Sequence, residues 1–283
     1  MLSYRHSFHA GNFADVHKHL ALSLIIQALC RKDAPFFYLD THSGAGLYDL
    51  RGDAAQKTGE YHDGIERLWR SASAPSLLRP YLDAVIMANA GDVSGALRYY
   101  PGSPWLARHW LRAQDRMVLC ELHGSEYPLL KQLFQGDRQA AVHHQDGYQG
   151  LKAFLPPKER RGAVLIDPAY ELKDEFARVA EALIQAHQRW ESGIYAVWYP
   201  ILGHKPITGF YERIRASGIR KVLRTEFNVE EPAATPGMTG SGLLIVNPPW
   251  QLDEQLREGL AWVWPQLARR GQGGVVVDWL VPE

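Results

Sequence analysis

Cysteine is scarce: the 283-residue chain has two, Cys30 and Cys120, both set in apolar stretches. Two isolated thiols exclude a disulfide framework and suit a reducing compartment, so a cytoplasmic protein is expected. Long apolar runs are missing as well. The best candidate, residues 20–30, is interrupted by Ser23 and Gln27 and closed by Arg31, Lys32 and Asp33. It is too short to cross a bilayer and has no small-residue cleavage site, so neither a membrane anchor nor a signal peptide is expected. No sign of charge prevails either, because 31 Lys and Arg balance 31 Asp and Glu. Net charge therefore announces no polyanionic partner. Gly-x-Gly-x-x-Gly does not occur, which speaks against a dinucleotide enzyme. His-Glu-x-x-His is absent too, and the N-terminal histidines have no Cys partner, so no metal is expected. Internal repeats and low-complexity segments are lacking.

What remains is ordinary globular material, 46% hydrophobic and 22% charged, long enough for one full core plus an insertion. Short β-branched apolar runs alternate with amphipathic segments, the pattern of a mostly parallel sheet covered by helices. A helix is predicted at 17–31, then strands at 36–40, 117–121, 140–144, 163–167, 194–199, 221–227 and 242–247. Residues 274–280 form an eighth strand or the end of the last hairpin. Further helices are predicted at 104–114, 173–190, 208–217 and 252–267. The gap after Asp40 is too long for a simple strand–helix–strand unit. Amphipathic patterns at 60–69 and 77–90 fill it, so a small helical subdomain is expected at 49–100. It divides the main domain into 1–48 and 101–283 and lies over the ligand crevice.

Three basic clusters stand out. Lys205, Arg213, Arg215, Arg220, Lys221 and Arg224 face Glu212 alone between positions 204 and 224. Lys152, Lys158, Arg160 and Arg161 form a second cluster, and Arg5, His6, His9, His17, Lys18 and His19 a third. Each alone reads as a solvated face. Grouped around a pocket, they would make a track for phosphates.

The chemistry sits at the strand ends. Strand one runs into Asp40-Thr41-His42-Ser43-Gly44-Ala45-Gly46, whose small residues let backbone approach a ligand closely. Strand two ends in Glu121, whose two carboxylate oxygens can accept both ribose hydroxyls of a nucleoside cofactor. Strand three ends in Asp146-Gly147, a carboxylate and a backbone N–H able to read an adenine. Ser103-Pro104 opens a helix, with Ser103 as its cap. Aimed at the pocket, that helix N-terminus can bind a carboxylate. Strand four ends in Asp167-Pro168-Ala169-Tyr170, which resembles motif IV of amino-methyltransferases. An adenine N6 lone pair is delocalised into its ring. Asp167 and the Pro168 carbonyl can accept the two N–H bonds and localise that pair, while Tyr170 stacks on an extruded base. Asn247-Pro248-Pro249-Trp250 spells the same motif, but it follows the seventh strand, far from the expected methyl donor. It reads as a strand-ending turn with Trp250 packed.

The opening from Met1 to His19, with its His9-Ala10-Gly11-Asn12, closely resembles that of the J-type 23S rRNA adenine-N6 methyltransferases. Residues 39–47, the helix start at Ser103, Asp146-Gly147, the Asp-Pro-x-Tyr site and the Asn-Pro-Pro-Trp turn extend the resemblance over essentially the whole chain. It implies a Rossmann-like class I methyltransferase, an α/β fold with an inserted helical subdomain. The implied reaction moves a methyl group from S-adenosylmethionine, without a metal, to the N6 amine of one adenine in 23S rRNA. Implied cofactor contacts are Lys18, His19, His42, Ser103, Glu121, Asp146, Gly147 and Asp167, with Asp167 catalytic. Tyr4, Pro168 and Tyr170 fall on the substrate side. A monomer is expected, acting on RNA that is naked or early in assembly. The sequence departs from the family at Ala169, where a second proline is usual. Alternatives are a DNA adenine or protein glutamine methyltransferase, the latter if Asn247 marked the site, and an inactive RNA-binding relative.

Overall fold

Asn12 caps the first long helix, α1 (Phe13–Cys30): its side chain accepts from the backbone N–H groups of Ala14 and Asp15. The helix begins ahead of the predicted His17 because this cap lies inside the polar N-terminal motif. A computed structural model of the chain describes residues 4–92, 94–203, 207–231 and 237–283. Among these, no helix is long and apolar enough to cross a membrane.

After α1 the chain forms β1 (Phe37–Asp40) and then β2 (Leu47–Asp49), which pairs antiparallel with β3 (Tyr99–Pro101). Between β2 and β3 lie α2 (Asp53–Thr58), short 3-10 turns and α3 (Arg79–Ala88). The predicted helix at 60–69 is instead two 3-10 turns, Glu60–Asp63 and Ile65–Arg67. Gly64 separates them because its Cα lies against the Gly11 carbonyl and the backbone of Asn12, leaving no room for a Cβ. Leu50, Tyr61, Ile65, Leu68, Trp69 and Tyr81 of this segment share one hydrophobic cluster with α1.

The remaining elements are α4 (Ser103–Trp110), β4 (Arg116–Glu121), α5 (Glu126–Leu133), β5 (Ala140–His144), α6 (Gly147–Phe154), β6 (Gly162–Ile166), α7 (Glu175–Arg189) and β7 (Ile194–Leu202). The chain ends with α8 (Thr208–Ala216), β8 (Val222–Asn228), β9 (Met238–Val246), α9 (Leu252–Leu267) and β10 (Gly274–Val281). Strand order in the eight-stranded sheet is β10-β8-β9-β7-β6-β1-β4-β5. Strands β5, β4, β1, β6 and β7 run parallel, and β9 lies antiparallel between β7 and β8. Residues 274–281 are a true eighth strand, antiparallel to β8. One buried cluster lies on each face, the first built around α1 and α9 and the second around α6, α7 and α8.

This topology decides where strand ends fall. The carboxyl ends of β1, β4, β5 and β6 lie on one edge, with β1 flanked by β4 and β6, the kind of place where ligands bind in open α/β sheets. Strand β9 runs the other way, so its end at Asn247 reaches the opposite edge.

Candidate active site

A cleft of about 560 Å³ opens at that edge, within the usual size range for a small-molecule site. Its walls come from the N-terminal segment, the β1 turn, the start of α4, the ends of β4, β5 and β6, and the far half of β7.

Small residues shape the β1 end. Gly44 and Gly46 have φ of 61° and 79°, in the left-handed region that favours glycine. The Gly44 N–H donates to Glu121 Oε2 at 2.7 Å, and the His123 N–H to Oε1 at 2.6 Å. Burial pushes the Glu121 carboxyl above its ordinary pKa, partly offset by these two bonds. Each oxygen keeps a second lone pair for a ribose hydroxyl. Asp146 caps α6 with one oxygen, Oδ1, accepting from Tyr148 N at 2.7 Å and Gln149 N at 3.3 Å. Gly147 is required because a Cβ there would collide with the Thr41 carbonyl. These residues fit an adenosyl group: two acceptors for ribose, then a carboxylate and an adjacent helix N-terminus for adenine.

Ser103 is the first residue of α4, and Gly102 takes the cap position, which corrects the expected Ser103 cap. The serine is buried, and its hydroxyl is bonded to Asp40, which is itself buried and also accepts from Tyr38 Oη at 2.9 Å. Burial raises the Asp40 carboxyl to about 6, against the opposing bonds from Ser103 and Tyr38. Asp40 itself does not line the cleft but holds Ser103, which does. His42 lines the cleft with its pKa lowered by burial to about 4, so it is neutral at pH 7.

Beside the donor half stands a buried charge network. Lys18 Nζ lies 2.6 Å from Asp167 Oδ2 and 3.0 Å from Asp15 Oδ1, with the lysine side chain 6% exposed. Burial pulls the ammonium down, but the two carboxylates outweigh it and hold Lys18 above its ordinary pKa. Asp15 Oδ2 in turn meets His6 Nε2 at 2.8 Å and the Gly11 N–H at 2.8 Å. Despite its burial, the charges of His6 and Lys18 hold Asp15 well below the carboxylate range. Asp167 Oδ1 has no hydrogen-bond partner among the described residues, so one oxygen of the motif faces the cleft unengaged. His19 bonds Tyr100 Oη at 2.6 Å, is neutralised by burial, and lines the cleft.

Tyr4 crosses the mouth. Its N–H donates to Glu171 Oε1 at 2.9 Å, its hydroxyl meets His6 Nδ1 at 2.9 Å, and its ring stacks on His9. Pro168 and Tyr170 follow Asp167 in the wall. Tyr170 has φ 51°, a conformation costly for a bulky residue and concentrated at functional sites. Its hydroxyl donates to the Trp198 carbonyl at 2.7 Å, and its ring meets those of Phe176 and Trp198.

Every expected site residue therefore lines this one cleft: Tyr4, Lys18, His19, His42, Ser103, Glu121, Asp146, Gly147, Asp167, Pro168 and Tyr170. Sequence reasoning missed Asp15, Trp198 and Arg178, and read His6 only as part of a basic cluster. Asp15 stands three residues before Lys18 on a helix, a spacing that could have revealed the pair. Trp198 gave no such signal.

Two expectations are corrected. Asn247 is a strand-ending turn at the far edge, its amide donating to the carbonyls of Glu191 and Gly193 at 2.7 and 2.9 Å, but Trp250 is 81% exposed and not packed. Nor do all three basic clusters ring the cleft: the N-terminal one reaches it through His6, His9, Lys18 and His19, but no described residue of the other two lines it. Arg161 precedes β6 at the opposite edge and bonds the carbonyls of Ala34 and Leu29. Arg224 is taken by Asp278 and Lys221 by Glu283, while Lys205 lies outside the described residues.

A parallel sheet with a glycine turn after β1, an acid ending β4 and an Asp-Pro-x-Tyr after β6 defines a Rossmann-like, S-adenosylmethionine-dependent methyltransferase. The sequence profile described as ribosomal RNA large subunit methyltransferase D, RlmJ, matches residues 33–281. Two proteins named ribosomal RNA large subunit methyltransferase J resemble the chain over the full length of both partners: one from Escherichia coli K12, 49% identical, and one from Haemophilus influenzae, 46% identical. The crystal structure of protein LPL1258 from Legionella pneumophila is 38% identical, with a TM-score of 0.85 over 96% of this chain and 98% of the other. The chain belongs to the RlmJ family of ribosomal RNA large subunit methyltransferases.

Proposed function

We propose that the chain methylates the N6 amine of one adenine in 23S rRNA, with Asp167 orienting the amine. S-adenosylmethionine, when bound, supplies an electrophilic methyl group on its sulfonium. Glu121, Asp146, Gly147, Ser103 and His42 would hold it in the cleft beside the β6 end. Asp167 Oδ1 and the Pro168 carbonyl accept the two amine N–H bonds, directing the nitrogen lone pair toward the methyl. Lys18 fixes Asp167 by its other oxygen. With that donor bound, attack by the amine nitrogen would displace its carbon–sulfur bond, and the surplus amine proton would leave to solvent. Tyr4 closes the mouth and Tyr170 packs against the extruded base.

The observation that carries this reading is Asp167 itself: one oxygen clamped by a buried lysine, the other free in the cleft. Residues 49–100 act as an inserted subdomain between 1–48 and 101–283. They brace the mouth from behind, where Glu60 bonds His9 and Asn12 at 2.9 Å each. The enzyme works as a cytoplasmic monomer on RNA not yet assembled, because an adenine must leave its stack to enter the cleft. Labelled-methyl transfer to naked 23S rRNA, assembled large subunits, duplex DNA and release factor tests this. N6-methyladenosine should form from naked rRNA above all, and transfer only to assembled subunits, DNA or protein would contradict it.

A further inference from the structure

Seven carboxylates line the cleft, against two Lys or Arg side chains among the described residues, Lys18 and Arg178. Lys18 is sunk between Asp15 and Asp167 and cannot reach a ligand's phosphate. An acceptor strand, with a charge at every nucleotide, thus approaches a mostly acidic mouth where a single strong cation stands available.

Arg178 is built to be that cation. It lies near the start of α7, the helix that directly follows the loop of Asp167, Pro168 and Tyr170. Its guanidinium sits over the Tyr148 ring, 5.1 Å from the centroid, a cation–π contact that holds it at the cleft. Its ion partner Glu175 is 3.6 Å away, beyond hydrogen-bond distance, and the other Glu175 oxygen accepts from Tyr148 Oη at 2.5 Å. No hydrogen bond to protein engages the Arg178 donors among the described residues, and the side chain is 39% exposed. An exposed pair of this kind contributes little to stability. A planar fork of donors, held beside the cleft and unspent, matches a phosphodiester.

We propose that Arg178 binds the phosphate flanking the target adenosine, holding the backbone where the base turns out of its stack. This rests on the reading of the acceptor as RNA. Of the three basic clusters of the sequence, the N-terminal one brings only Lys18 and histidines to the cleft, no described residue of the other two lines it, and Arg161 and Arg224 are committed elsewhere.

Arg178→Ala and Arg178→Lys test it in the full chain with naked 23S rRNA. For Arg178→Ala, the KM for RNA should rise about tenfold, more than kcat falls, as loss of one charge-assisted contact implies. The plot of log binding constant against log salt should become shallower by about 0.7–0.9, the share of one phosphate. Arg178→Lys should restore the salt slope while recovering only part of the affinity. Affinity for S-adenosylmethionine, read by calorimetry, should be unchanged. An unaltered KM and slope would overturn the proposal, and so would a loss of cofactor affinity, which would move Arg178 to the donor side. Failure of the wild-type chain to methylate RNA in the same assay would instead overturn the reading of the acceptor.

Discussion

Glu121 is aimed before any ligand arrives. Each oxygen is tied to a backbone N–H of a neighbouring turn, Gly44 on one side and His123 on the other. The carboxylate can thus receive two hydroxyls with little reorganisation. We expect Glu121→Ala to weaken S-adenosylmethionine binding at least about tenfold, about 1.4 kcal/mol, as the loss of charge-assisted hydrogen bonds requires. Glu121→Gln, which keeps the shape and one acceptor, should weaken it less. Calorimetry checks both, and unchanged affinity in the alanine variant would remove Glu121 from the site. At this scale the sequence was informative wherever a side chain ends an apolar strand, because strand ends are readable. Asp15, Trp198 and Arg178 come from a helix, mid-strand and a second helix. They join the cleft only through tertiary packing, which periodicity does not record.

Among the elements, the loop after β6 does most to set the acceptor side. Ala169 stands where the family usually has proline, and its N–H donates to no protein group among the described residues. A proline there would restrict the backbone of Pro168, whose carbonyl is one of the two proposed acceptors. Ala169→Pro should therefore raise the single-turnover rate about two- to fivefold, from the 0.4–1 kcal/mol that such restriction commonly contributes. A clear fall at saturating cofactor would show instead that the loop needs its freedom. The strands and most helices of the sheet domain were legible from alternation and amphipathicity. The 60–69 helix was not, because its pattern says nothing of the Gly11 carbonyl that divides it at Gly64. The start of α1 was missed because nearly every face of this helix is buried, so polar residues such as His17 lie inside with partners rather than outside. His17 sits between Ser241 Oγ at 2.9 Å and Thr225 Oγ1 at 3.1 Å.

For the molecule as a whole, strand direction separates two motifs that spelling cannot. Asp-Pro-Ala-Tyr follows a parallel strand and Asn-Pro-Pro-Trp an antiparallel one, so the sheet carries them to opposite edges. Only the first shares an edge with Glu121 and Asp146. Sequence order suggested this outcome, and topology gives its reason. The most direct test is single-turnover transfer of labelled methyl to naked 23S rRNA by Asp167→Asn and Asn247→Ala, each first shown to fold by thermal unfolding. Asp167→Asn should slow transfer about 100-fold or more, as loss of a preorganised charge at the reacting amine implies, while Asn247→Ala stays near the wild-type rate. A near-wild-type rate in Asp167→Asn, with transfer lost in Asn247→Ala, would contradict the account.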